Sequence, residues 1–398
     1  MRSVTLSECY SIIMVEAQKL DSGPTSLDPK TRTHLDFLDG IRAVAALFVV
    51  LHHTWQGPFG RVAREGVKGW LTNWVLYGHL AVDVFIVLSG FCLVLPVARS
   101  GVIAGGARGF FKRRAHRILP PFYFALALSL PINFAVHKIG HHPLVTAKAL
   151  AANLFLLQDW LPRYNVLDGP LWSVAAEWKI YFFFPVFVWI WRRFNAAWML
   201  AAAATLGGGL TATFHVLNPE VGMGNTAPWY LFLFAMGITA GASATGWGRN
   251  STGYLKWSIL ALFAILAILL GMYPITTRGE DVLYGPHLPL IDPVAGALTA
   301  ALLVFLYQKL LNKESFWLLQ ALSWKPLAFI GTFSYSIYLV HIPLIGLAAG
   351  GIHRVRFLNS SHALEAFSFL VMYPTILALA YGFHLLFERP FLNKRPVS

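Results

Sequence analysis

The chain has 398 residues, 57% of them hydrophobic and only 12% charged, and carries a formal net charge of +13. This balance excludes a large soluble enzyme, because apolar runs of about 20 residues between short polar breaks belong to the membrane class. It also excludes a nucleic-acid binder: no basic array with interleaved aromatics stands outside those runs, and the cationic excess encodes topology and contact with anionic headgroups.

In chain order, residues 1–33 read as a flexible cytoplasmic tail without the basic start, short apolar core and cleavage site of a signal peptide. Residues 34–390 form one all-α polytopic membrane domain. Apolar runs predict about ten transmembrane helices, near 36–56, 78–98, 118–136, 171–191, 196–214, 228–246, 255–273, 290–309, 326–349 and 364–387. A shorter run at 147–158 does not cross, which makes 137–170 an outer or re-entrant region. Residues 391–398 are a cytoplasmic tail, and nothing after 387 is expected to fold as a separate domain.

With the N-terminus cytoplasmic, the clusters Lys112 to Arg117, Arg192 with Arg193, Arg249 with Lys256, Lys309 with Lys313 and Lys325, and Lys394 with Arg395 all fall inside. Both termini are then cytoplasmic. Arg354 and Arg356 depart from the pattern. Cys9 and Cys92 are the two cysteines, so neither a disulfide framework nor a zinc site is expected.

Arg42 and His53 lie eleven residues apart in the first apolar run. On a helix they share a face about 20° apart and are separated by about 16.5 Å along the axis. A permanent cation and an imidazole on one face of a membrane helix are costly, so a functional site is the default reading. Asp83 starts the second helix at the same outer level as His53; it either orients that imidazole or serves as a structural hydrogen-bonding group. In the fourth helix Ser173, Glu177 and Tyr181 form one stripe at i, i+4, i+8. Glu177 could orient His53, bind an acceptor hydroxyl, tie helices together, or simply pair with Lys179. Ser334, Tyr338 and His341 form a further polar face, with Ser334 and Tyr338 shaping a pocket. Arg114 and Arg117, at i and i+3 beside Lys112, suit phosphate oxygens as well as they suit topology. His137, His141 and His142 sit in a turn-like stretch with no carboxylate at ligand spacing, so no metal site is expected there.

Taken in order, Asp39-Gly-Ile-Arg42 to His53, Val82-Asp83-Val-Phe-Ile-Val-Leu-Ser89-Gly90-Phe91, Arg114-Ala-His-Arg117-Ile-Leu-Pro120, Leu171-Trp-Ser-Val-Ala-Ala-Glu177 and Ser334-Tyr-Ser-Ile-Tyr-Leu-Val-His341 resemble the acyltransferase-3 family of integral-membrane O-acyltransferases. Each piece alone is weak; five in sequence are specific. The resemblance implies His53 as catalytic base, Arg42 with the Arg114–Arg117 pair and Lys112 at the donor, and Asp83 and Glu177 on the acidic motif positions. Ala43 departs from the family's usual glycine after the arginine. Some relatives carry a fused soluble hydrolase-like domain, which is not expected in this chain.

The reading is an O-acyltransferase that moves an acyl group, commonly acetyl, from cytoplasmic acyl-CoA to a hydroxyl of a sugar, glycan or natural product such as a macrolide. Acyl-CoA is a donor substrate, and no permanently bound cofactor is expected. Trp172, Ser173, Tyr181, Tyr338 and His341 are the candidate acceptor-binding residues. Partners are the donor, the hydroxyl-bearing acceptor and membrane lipids, with the bacterial cytoplasmic membrane as the location. A proton-coupled secondary transporter is the alternative, since ionisable residues on inward stripes also build carriers.

Overall fold

Backbone in hydrocarbon must satisfy its own N–H and C=O groups, so the apolar runs of this sequence become helices. The computed structural model describes residues 35–59, 65–138, 145–161, 169–217, 227–246, 252–276, 283–352 and 367–392. The 1–33 tail, Cys9, His141, His142, Arg249, Arg354, Arg356 and residues 393–398 lie outside them. From Phe37 onward the described residues belong to one unit.

Helix α1 spans Asp36–Phe59. A short α2, Gly66–Thr72, and a 3-10 turn, Asn73–Tyr77, lead into α3, His79–Ser100. α4 covers Gly106–Lys138 and α5 Ala147–Leu154. α6, Leu171–Ile180, passes through a 3-10 turn into α7, Phe184–Arg193. α8 (Ala196–Leu217), α9 (Tyr230–Gly246), α10 (Thr252–Met272) and α11 (Leu288–Leu311) follow. α12 (Trp317–Leu322) and α13 (Lys325–Thr332) are short, and α14 is Ser334–Ile352. The final helix α15, Tyr373–Phe383, is flanked by π-helical turns Ser368–Met372 and His384–Glu388.

Among the described residues, eight helical stretches are long and apolar enough to cross a membrane, and a ninth forms if α13 and α14, bent by 70° at their junction, count as one span. Each of the ten expected windows is helical across most of its described residues. The difference lies in α9: its 17 residues fall short of the ~20 that a bilayer crossing requires. α5 occupies the first part of the 147–158 segment; Thr146 caps it by accepting from the Ala149 N–H, and its eight residues cannot cross. α4 starts at Gly106, not near 118, because its charged first third continues the helix beyond the apolar run. That extension carries Arg114 and Arg117.

α3 packs against α9, and both pack against α11. The α3–α9 contact is backbone on backbone: a Cβ at Gly90 would stand 2.3 Å from the Phe234 carbonyl oxygen, and one at Gly237 would stand 2.0 Å from that of Val87. With little hydrophobic drive between helices in lipid, such small-residue contacts supply the packing. α10 instead turns Trp257 and Phe263 outward, a lipid-facing surface.

Candidate active site

Helices α1, α3, α4, α6, α13 and α14, with the π-helical turn ending at Glu388, enclose a cavity of about 260 Å³. Its polar residues fall into two groups.

At one end α1 contributes Asp39 and Arg42, and α4 contributes Arg114 and Arg117. Arg42 donates to Asp39 Oδ1 at 2.6 Å and to Cys92 Sγ at 3.2 Å. Arg114 and Arg117 form no ion pair among the described residues, and the buried Arg114 Nε has no hydrogen-bond partner. Helical spacing of i and i+3 puts both guanidiniums on the same wall. Glu388 also lines this cavity but is held by Ser336 at 2.5 Å and by His384 Nδ1 at 2.8 Å. Lys112 is exposed and is not part of the lining.

Along α6 the expected stripe is present: Ser173, Glu177 and Tyr181 all face the cavity. Tyr181 donates to Glu177 Oε1, and Ser89 of α3 lies 2.9 Å from the same phenol. Lys179 does not pair with Glu177. It turns to Asp159 at 2.6 Å and donates to the Leu156 carbonyl at 2.5 Å. Outside the membrane-spanning segments, burial pushes the Asp159 carboxyl above its ordinary value, and the Lys179 ammonium offsets part of that rise. Glu177 is thereby free of a mere surface-type ion pair, and its partner is a phenol inside the cavity.

At the far end Ser173 Oγ and Tyr338 OH meet at 2.6 Å, beside the Pro170 carbonyl. The Tyr338 ring is 5.6 Å from that of His341, which is 5.2 Å from that of His53. His341 is fully buried; its Nδ1–H donates to the Tyr338 carbonyl at 2.7 Å, and its Nε2 has no partner among the described residues. His53 is half-buried and does not line the cavity; the polar path reaches it through Tyr338 and His341. The preceding His52 meets it edge to face, 4.7 Å away, with its own Nδ1–H bound to the Val75 carbonyl.

Asp83 stands elsewhere than the sequence suggested. It is fully buried in a group with His79 and Asp292, whose ligand-type atoms all lie within 4.8 Å of one another. Trp172, expected at the acceptor, stacks on His79 at 5.8 Å in this same group. Sequence reasoning missed His79, Asp292, Trp229, Tyr230, Ser89, Asp39 and Glu388 as site residues. Two of these had a visible signal: Asp292 is a carboxylate inside an apolar run, and Glu388 stands four residues after His384. The histidine cluster near 137–142 showed the opposite problem. His137, the member within the described residues, is exposed at the end of α4.

A bundle of apolar helices around a polar cavity, with arginines at one end and hydroxyls at the other, defines an integral membrane protein with an internal binding site. Its sequence places it in a family: the Acyl_transf_3 profile, an acyltransferase domain, matches residues 35–387, and the chain belongs to that family. The Bacillus subtilis protein YrhL, provisionally named a peptidoglycan O-acetyltransferase, is 28% identical over 347 residues, 80% of this chain and 50% of its own length. The peptidoglycan O-acetyltransferase OatA of Listeria monocytogenes is 22% identical over 347 residues, again 80% of this chain and 50% of its own. The acyltransferase MdmB of Streptomyces mycarofaciens is 28% identical over 203 residues, 50% of this chain and 51% of its own. The chain spans about half the length of these relatives. No solved structure matches. With bacterial relatives and these helices, it is an integral protein of the bacterial cell membrane.

Proposed function

We propose that the chain is a membrane O-acyltransferase that takes an acyl group, commonly acetyl, from cytoplasmic acyl-CoA and places it on a hydroxyl of a sugar, glycan or natural product. One observation carries this reading: Arg114 and Arg117 face the same cavity as Arg42 with no ion-pair partner among the described residues. Guanidiniums left without carboxylates at a cavity mouth suit phosphate oxygens, which they bind in a fork. The cavity of about 260 Å³ is smaller than the roughly 300–1,000 Å³ of pockets that enclose a drug-sized ligand, so it admits a narrow thioester arm while the nucleotide stays at the mouth.

Arg42 and His53 share the unbroken helix α1, so the arm must rise about 16.5 Å from cation to imidazole. The thioester would reach the Ser173–Tyr338 pair and the acceptor would enter from the opposite side. His53 takes the proton of the acceptor hydroxyl as its oxygen attacks the thioester carbonyl. The carbon–sulfur bond then breaks, and the CoA sulfur leaves with the proton returned by the imidazolium. Glu177, held by Tyr181, is the carboxylate nearest this route along α6.

Purified protein in detergent, given labelled acetyl-CoA, tests the reading. Transfer or hydrolysis should occur in the native chain and in Trp257→Ala on the lipid-facing α10, and vanish in His53→Ala. Wild-type turnover in His53→Ala would overturn the base assignment. Solute counterflow in liposomes with no acyl transfer would replace the enzyme by a carrier.

A further inference from the structure

The group His79, Asp83 and Asp292 lies behind the cavity wall: on α3 Val82 lines the cavity, and the next residue, Asp83, does not. Both carboxylates are fully buried. No Lys or Arg ion pair reaches either of them among the described residues; the ionic contact present is His79 Nε2 to Asp292 Oδ2, at 3.1 Å. Two facing carboxylates without a cation, in a region walled by apolar helices, are among the costliest arrangements a membrane protein can hold.

The hydrogen bonding is incomplete in a specific way. Trp229 Nε1 donates to Asp292 Oδ2 at 2.9 Å, and Tyr230 OH lies 3.0 Å from His79 Nε2. Asp83 Oδ1, Asp83 Oδ2 and Asp292 Oδ1 are buried with no partner. A proton shared between Asp83 and Asp292, with the Tyr230 hydroxyl turned to Asp83, is the competing arrangement and leaves the pair with one net negative charge. A divalent cation would engage all three oxygens directly or through bound water, and would neutralise the two negative charges.

The ligand-type atoms of the three residues lie within 4.8 Å of one another. Ligands about 2.1 Å from one ion stand about 3.4 Å apart in a tetrahedral shell, so closure requires a contraction of up to roughly 1.4 Å. The Trp229 indole then acts on Asp292 from outside the ligand set, fixing the carboxylate and leaving Oδ1 free.

We propose that His79, Asp83 and Asp292 form a divalent transition-metal site, of the kind that takes Zn2+ or Mn2+. One imidazole with two carboxylates is a borderline donor set, which favours these ions over the all-oxygen cations. Because His79 and Asp83 stand on α3 and Asp292 on α11, and these helices pack on each other, the site clamps the two helices. It is independent of the acyl-transfer reading.

The full chain, purified in detergent and stripped with a chelator, should bind one Mn2+ or Zn2+ per chain. Binding would be read by elemental analysis and by the electron paramagnetic resonance signal of protein-bound Mn2+. The thermal midpoint should rise with free metal concentration. Asp292→Asn and His79→Gln should lose the bound ion, and Glu314→Gln, an exposed change, should keep it. The Mn2+ titration needs only the native chain, so it stands even where a variant fails to fold. Substoichiometric metal with an unmoved thermal midpoint would overturn the proposal. So would a protonated-carboxyl infrared band that persists at saturating metal and disappears in Asp83→Asn.

Discussion

Gly331 of α13 rests directly on the backbone of Asp39 in α1: a Cβ on Gly331 would stand 1.9 Å from the Asp39 carbonyl oxygen. The neighbouring Gly40 makes a second close contact, with the end of α12, where a Cβ would stand 1.8 Å from the Leu322 carbonyl oxygen. Backbone atoms cannot rotate away as a side chain can. Since Asp39 holds Arg42 at 2.6 Å, this double contact fixes the height of the guanidinium in the cavity.

Gly331→Ala should therefore force α1 and α13 apart. The expected cost is about 1–3 kcal/mol or more, as for other overpacked interiors, together with weaker donor binding as Arg42 shifts. Gly271→Ala, in open space, serves as the control and should be neutral or stabilising by up to about 1 kcal/mol. Thermal unfolding in detergent checks both, and an unchanged midpoint in Gly331→Ala would show that the contact relaxes freely.

Removing one unpaired guanidinium should act on donor binding before it acts on turnover. Arg114→Ala should weaken CoA binding by roughly 10- to 100-fold, the equivalent of about 1.5–3 kcal/mol for a charge-assisted bond. Arg117→Lys keeps the charge but loses the fork, so it should recover only part of that loss. Titration of CoA by calorimetry separates the two. Equal affinity in Arg114→Ala and the native chain would return this pair to a purely topological role.

The spans were legible because each is an apolar run of about bilayer length, and hydropathy reads such runs directly. The shortfall of α9 and the bend after Thr332 were not legible, since both arise from how neighbouring helices meet. The stripe Ser173, Glu177, Tyr181 could be read because one helix carries it at a fixed period. What no period encodes is convergence between helices. Tyr338 meets Ser173 across 165 positions, and His79 meets Asp292 across 213. Asp83 was placed beside His53 because their levels on two helices matched. Level says nothing of rotation about the axis, and α3 turns Asp83 toward α11. For the same reason the sequence left pairing with Lys179 open as one alternative for Glu177, whereas the loop bearing Asp159 folds back to claim that lysine.

Asp159 gives a pH signature. Burial raises its carboxyl above the usual value of 3.8, with Lys179 offsetting part of the effect. An acid whose folded value is raised contributes stability that is fully present below the unfolded value and is lost as pH climbs through the folded one. Thermal midpoints measured upward from pH 4 should thus fall for the native chain relative to Asp159→Asn, in which this group cannot titrate. Parallel curves for the two proteins would remove Asp159 as the source.

The two neighbouring imidazoles, His53 and His341, invite the sharpest separation. His341 has committed its Nδ1–H to the Tyr338 carbonyl at 2.7 Å and is fully buried, so its ring orientation is fixed from its own helix. His53 leans on that fixed ring at 5.2 Å, with His52 at its other side. If His53 moves the proton and His341 positions it, the substitutions differ in kind. His53→Ala should lower kcat by roughly 10²- to 10⁴-fold with little change in the donor KM, and added imidazole should restore part of the rate. His341→Phe keeps a ring against His53 and loses both nitrogens, so it should cost less than His53→Ala and should not respond to imidazole. Steady-state kinetics with and without imidazole decide the matter. Rescue of His341→Phe, with His53→Ala unaffected, would exchange the two roles and make the buried Nε2 of His341 the proton acceptor.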